Sequence, residues 1–201
     1  VPFTHDYEGA PQQLNREQIL AQLKPILENP AVEKIGHHLK YDAHIFANHG
    51  IHFQGWFFDT MLASYVLNAS ATRHGMDDVA RLYLSHLTTT FEQIAGKGAK
   101  QKTFNQIELE TAAHYAAEDA HVTYRLYEVL SEKLAPFPAL VNILHNIEMP
   151  VAEVLTQMEE NGIQLDPEFL KQLSTEFAST MHELEQKAES MAGESFNIEI
   201  G

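Results

Sequence analysis

The feature that most constrains this chain is an unbroken run of helix-forming residues from about Glu108 to Leu134. It predicts one long helix around which the rest must organise. Thr103 with Gln106 is expected to form the capping box at its start. Within it lies His114-Tyr115-Ala116-Ala117-Glu118-Asp119. Residues four apart sit about 40° apart around a helix, so Tyr115 and Asp119 share one face. A phenol and a carboxylate so placed, flanked by alanines, can hold a metal ion and a water together. The plain alternative is a half-buried tyrosine and a solvated acid.

Upstream, helical and strand-like patterns alternate. Val1-Pro2-Phe3 reads as the tail of a strand, and Thr4 to Leu14 as a loop. Asn15 caps a helix whose stripe is Ile19, Leu20, Leu23, Ile26 and Leu27, with Pro25 inside it. Ala31 to Gly36 is a short strand, and Ala43 to Asn48 a helix closed by Gly50. Ile51 to Phe58 is a strand, and Asp59 caps the helix Met61 to Leu67. Met76 to Leu84 is a further helix with Val79, Leu82 and Tyr83 on its apolar side. Phe91-Glu92-Gln93-Ile94 is a short turn, and Ala95 to Lys102 a mobile basic loop. This alternation predicts an α/β domain, with chemistry gathered at the carboxyl ends of strands.

Pro136 and Pro138 mark a boundary, after which the pattern is helical only. Ile147, Val151, Val154, Leu155 and Met158 line one face, and Asn161-Gly162 is the stop. Asp166-Pro167 opens a last helix, in which Leu170, Phe177, Leu184 and Met191 recur every seven residues. Such a slim hairpin belongs to something larger. The domains are therefore read as 1–136 and 137–201.

Composition excludes several chemistries. With no cysteine there is no disulfide, thiol nucleophile or Cys-ligated metal. Twelve histidines invite a zinc reading, but neither His49-x-x-His52 nor His38 with His44 has the partners zinc sites use. Gly96-Lys97-Gly98 lacks the spacing of a phosphate loop. A net charge of −15 argues against holding nucleic acid by a basic surface. It is compatible with gripping one phosphate through metal ions, which need carboxylates as ligands. No apolar run is long enough to span a membrane and no signal pattern opens the chain, which is read as cytoplasmic.

A second carboxylate is available in Gly36-His37-His38-Leu39-Lys40-Tyr41-Asp42. Asp42 follows a strand and opens a helix, so it can face a strand-end cleft. A simple acid at a helix N-terminus is the equal alternative.

At this point the chain resembles a known family. Leu39-Lys40-Tyr41-Asp42 and Tyr115-Ala116-Ala117-Glu118-Asp119 look like the second and third motifs of the proofreading 3′–5′ exonuclease domain of bacterial family-A DNA polymerases. Those domains are DEDD exonucleases on a ribonuclease-H-like fold. Phe58-Asp59-Thr60-Met61-Leu62, Phe91 to Gly98 and Thr103 to Ile107 match in order and spacing. Asn146 to Pro150, Glu160-Asn161-Gly162 and Asp166-Pro167 resemble the first helices of the polymerase domain, leading into the thumb. The resemblance implies that Asp119 ligates the metal that activates water, that Tyr115 orients that water, and that Asp42 helps hold a second metal. It implies Mg²⁺ or Mn²⁺ as cofactor, and a DNA single-stranded 3′ end as partner, contacted by Arg73 and Phe91. Deoxynucleotides would be partners of the parent polymerase. His114 also stands ahead of Asp119, but five residues is about 140° around a helix, so the tyrosine type is read.

The family's first motif, Asp-x-Glu on a buried strand, is not found. Asp6-Tyr7-Glu8 has the spelling but lies in a polar stretch before Gly9-Ala10-Pro11, much nearer Asp42 than in the family. His38 stands where the family has asparagine. The domain is thus expected to lack its first strands and half of its carboxylates, and this chain alone to show little exonuclease activity. Two competing readings are a catalytically dead module of a polymerase and a stand-alone RNA 3′ exonuclease of the same fold.

Overall fold

The computed structural model describes residues 2–194. Val1 lies outside them, and Pro2 and Phe3 belong to no strand. The chain divides into two compact units, Val1–Glu160 and Asn161–Gly201. In the first, α1 (Arg16–Leu27) is followed by β1 (Lys34–Gly36), α2 (Leu39–Ala47), β2 (Trp56–Asp59), α3 (Thr60–Leu67), α4 (Met76–Leu84), α5 (Phe91–Ala95) and α6 (Leu109–Leu134). Then come α7 (Pro138–Ile143), a π-helical stretch (Leu144–Glu148) and α8 (Met149–Asn161).

Among the described residues the sheet has two strands, β1 and β2, paired in parallel across α2. Ile35 pairs with Phe58 and Gly36 with Asp59, and the register is irregular between Lys34 and Ile35. Both strands are shorter than the apolar runs that signalled them, because Ala31 to Glu33 and Ile51 to Gly55 make no ladder.

Helix α2 begins at Leu39, four residues before the sequence pattern suggests. The cause is Asp59, which is 2% exposed. Its carboxylate accepts the N–H groups of His38 (3.1 Å) and Leu39 (2.8 Å) at the start of α2. It also accepts those of Met61 (2.9 Å) and Leu62 (3.4 Å) at the start of α3. One buried acid therefore caps two helices and satisfies orphan donors of both. Gly36 completes this corner: a Cβ there would collide with the Leu39 side chain.

The core is built on the second half of α6. Val122, Leu126, Leu130 and Leu134, one helical turn apart, are buried against Leu39, Phe58, Ala63, Val79, Ala80, Leu144 and Met149. On α4 the buried residues are Val79 and Ala80, whereas Leu82 is exposed. Likewise Ile147, Val151, Val154, Leu155 and Met158 are all exposed. The Thr103–Gln106 capping box exists, but it closes the turn Phe104–Gln106. The cap of α6 is Glu108, whose carboxylate accepts from Glu110 N and Thr111 N. The π-helical stretch has a local cause. Pro150 has no N–H to give to the carbonyl four residues back, and Met149 N–H reaches Leu144 O instead.

The second unit contains α9 (Pro167–Ala192). Asp166 caps it by accepting from Phe169 N at 3.0 Å, Pro167 opens it and Gly193, at φ +78°, ends it.

Candidate active site

The buried stripe of α6 continues toward its N-terminus as Asp119, Tyr115 and Ala112. The site is thus an extension of the core stripe on the same rigid helix, held at one end and exposed at the other. Asp119 is half-buried and faces a cleft of about 410 Å³ that Asp42 also lines, with Gly36, His37, Met76, Thr123 and Tyr124. The cleft opens at the carboxyl end of β1. Asp42 is brought there because Gly36 lets α2 turn sharply off the strand, and a Cβ on Gly36 would lie 3.8 Å from its carboxylate.

Tyr115 lines a neighbouring groove of about 700 Å³ with His86, Thr89, His114, Glu118 and His121. Tyr115 and Asp119, four residues apart on α6, thus line different recesses. They remain electrostatic neighbours. Burial pushes the Asp119 carboxyl up to about 6, helped by Asp77 and Glu118. Burial likewise raises Tyr115, with Asp119, Asp77 and Glu118 adding to it, so its hydroxyl remains a proton donor at neutral pH. Asp42 is itself exposed, but desolvation by the surrounding chain and the charge of Asp59 raise it, against an opposing effect of His38.

The Asp42 and Asp119 carboxylates line one cleft, an arrangement that favours an incoming positive charge. The donors are hard oxygens and suit a hard divalent ion in kind. They do not suffice in number: among the described residues, no group of three or more histidines and acids is placed to hold a metal ion. Asp6-Tyr7-Glu8 does not add to them. It lies in a loop, where Asn105 donates to Asp6 at 2.8 Å and the Tyr7 hydroxyl accepts from Leu109 N at 3.1 Å.

Phe91 opens α5, and its ring meets Tyr115 edge-on at 6.4 Å and stacks with Phe104 at 6.5 Å. Arg73 is exposed on the loop between α3 and α4, away from the aromatic cluster in sequence. Residues that sequence reasoning did not single out also shape the site. His37 is partly buried and lines the cleft with Asp42, and its desolvation lowers its pKa. Thr60 Oγ1 donates to Gly36 O at 3.2 Å, so it must accept from His37 Nδ1 at 2.8 Å, which fixes the ring tautomer. Asp77 accepts from Thr88 Oγ1 at 2.6 Å.

On its back face α2 is held by Glu159 of α8. Lys40 Nζ donates to one oxygen at 2.6 Å and His44 Nε2 to the other at 2.7 Å. Residues 40 and 44 lie a turn apart, and Asp42 between them points the other way.

Comparison with known proteins identifies the family. A family model described as 3′–5′ exonuclease matches residues 3–135. DNA polymerase I of Pseudomonas aeruginosa is 49% identical over 98% of this chain and 22% of its own length. That of Rhizobium leguminosarum is 40% identical over 94% of this chain and 18% of its own. The Chloroflexus aurantiacus enzyme is 38% identical over 100% and 21% respectively. This chain thus spans about a fifth of the length of these relatives. Among solved structures, the POL domain of Pol1 from M. smegmatis, in complex with a DNA primer-template and dNTP, aligns with a TM-score of 0.74. That match has 27% identity and covers 92% of this chain and 29% of the other. On the family match and these relatives, the chain belongs to the 3′–5′ exonuclease family of the family-A DNA polymerases.

Proposed function

We propose that this chain is the proofreading segment, residues 1–136, and the helical start of the polymerase segment, residues 137–201, of a bacterial DNA polymerase I. Its parent removes mismatched 3′-terminal nucleotides by hydrolysing the last phosphodiester bond, in the cytoplasm, during DNA synthesis and repair. The observation that carries the reading is the convergence of Asp42 and Asp119, from α2 and α6, on one strand-end cleft with Tyr115 a turn away. A ribonuclease-H-like framework accords with a parallel strand pair whose carboxyl end opens on that cleft.

In this reading Mg²⁺ or Mn²⁺ ions bound in the parent would supply a nucleophile at neutral pH and relieve charge on the leaving oxygen. Asp119 and Asp42 would contribute carboxylate oxygens toward holding them. Tyr115, with its hydroxyl protonated, would donate a hydrogen bond that orients the attacking water. Phe91 stacks on a base of the single-stranded 3′ end, and Arg73 reaches a phosphate. Deoxynucleotides are bound by the rest of the parent. Retention of Asp42, Tyr115 and Asp119 together favours an active parent over a dead module, while the ligand shortfall leaves the isolated chain close to inactive.

The test uses the full-length parent on a primer with a mismatched 3′ nucleotide. Excision should fall by about 100-fold or more in Asp119→Ala, as when one group stabilising transition-state charge is lost. Tyr115→Phe should lose less. Undiminished excision in Asp119→Ala contradicts the proposal.

A further inference from the structure

Glu118 is the neighbour of Asp119, yet it lines the groove with Tyr115 instead of the cleft with Asp42. Both of its carboxylate oxygens are in use. One accepts from His86 Nε2 at 2.8 Å, the other from Thr89 N at 3.0 Å. Both oxygens are therefore tied to this one segment, and Glu118 acts as its anchor.

What it anchors is the segment that delivers Phe91. Among the described residues, the other side-chain bonds of residues 86–90 run to α4, through Thr88 and Asp77, or stay local. The local ones are Thr90 N and Oγ1 to Gln93 Oε1, at 2.6 and 3.2 Å, which cap α5. Phe91 follows directly, and its ring abuts Tyr115. From Glu118 the path is continuous: carboxylate, Thr89 backbone, Phe91 ring, Tyr115 ring, and back to α6 one turn earlier. Phe104 closes the cluster at 6.1 Å from Tyr115.

We propose that Glu118 is a positioning residue for the exonuclease reaction. It fastens residues 86–90 to α6 and so sets Phe91 against Tyr115, fixing the base-stacking ring and the water-orienting hydroxyl with one carboxylate. The inference rests on the proofreading function proposed above. It assigns Glu118 a role through Phe91, without contact to substrate.

The test is a double-mutant cycle in the full-length parent, reading kcat and KM for a single-stranded 3′ end, with polymerase activity as a control of folding. Glu118→Ala should raise KM about tenfold, the order expected when a base-stacking ring is misplaced. Glu118→Gln keeps an acceptor for Thr89 N–H and an amide N–H for His86, and should stay within about twofold of wild type. Phe91→Ala should raise KM as Glu118→Ala does, and the double variant should be no worse than Phe91→Ala alone. An active wild type matched by Glu118→Ala, or losses that multiply in the double variant, overturns the inference alone. A wild-type parent that removes no 3′ nucleotide overturns the proofreading reading and the inference with it.

Discussion

Helices α6 and α9 have the same length, 26 residues each, and both carry an apolar stripe. Their fates differ. Six residues of α6 are buried, including Val122, Leu126, Leu130 and Leu134. No described residue of α9 is buried, and Phe169, Leu170, Phe177, Met181, Leu184 and Met191 are exposed. Periodicity shows that a helix has a face to cover; it does not show what covers it. In α6 the covering is the core of the same unit, and that anchorage lets the first half of the helix present Tyr115 and Asp119 at defined places. In α9 helix-forming propensity and two good caps suffice for the helix, and none of its residues is buried by the described residues of the second unit.

That contrast can be broken most forcefully in the core. Leu126 is 0% exposed, so Leu126→Ala should destabilise the chain by about 3 kcal/mol in urea denaturation. A loss under about 1 kcal/mol would mean that α6 is no better anchored than α9. Next in size is the buried acid beneath the site. Asp59→Ala removes the caps of α2 and α3 together and should cost about 2 kcal/mol, the sum of two ordinary caps. The start of α2, read by amide hydrogen exchange, should fray with it; unchanged protection at Leu39 and Lys40 would show that Asp59 does not set the helix.

A smaller effect concerns the charge that α6 carries into the cleft. The folded carboxyl of Asp119 titrates at about 6, above its ordinary 3.8. The protonated form is favoured by folding, so this contribution is complete below about pH 3.8 and is lost as pH rises through about 6. Asp119→Asn should therefore melt higher than wild type above pH 6, and the gap should close toward pH 4. Asp119 is only half-buried, so solvent screening limits the gap to about 1 kcal/mol or less. A wild type that is the more stable partner at pH 7 would contradict it. The smallest effect is expected on α9, where Phe177→Ala should change stability by no more than about 0.5 kcal/mol. A loss as large as that of Leu126→Ala would erase the contrast.

Much of the fold was legible where its cause is local. Met76–Leu84 was readable from the apolar stripe within it, and the Asp166-Pro167 opening of α9 from its own cap. The start of α2 was not, because its cap is Asp59, distant in sequence and supplied by the next strand. The strand from Ile51 was overextended because its apolar residues are used for packing without a ladder partner. Leu82 was misplaced because Ala80, small and unremarkable, takes the buried position. In the site, the Tyr115–Asp119 spacing and Asp42 were visible as letters. Their division between two recesses was not, nor the help of Asp77, which comes from a helix that only folding brings near. Glu118 was overlooked because its partners His86 and Thr89 share no spacing signature with it.

The most direct measurement is a time course of 3′ degradation of single-stranded DNA by this 201-residue chain in Mg²⁺ or Mn²⁺, beside the full-length parent. If the chain carries Asp42, Tyr115 and Asp119 as half of a two-metal site, the parent shortens the strand from its 3′ end and the chain alone leaves it nearly intact. Robust metal-dependent degradation by the chain alone, abolished by Asp119→Ala, would contradict the account.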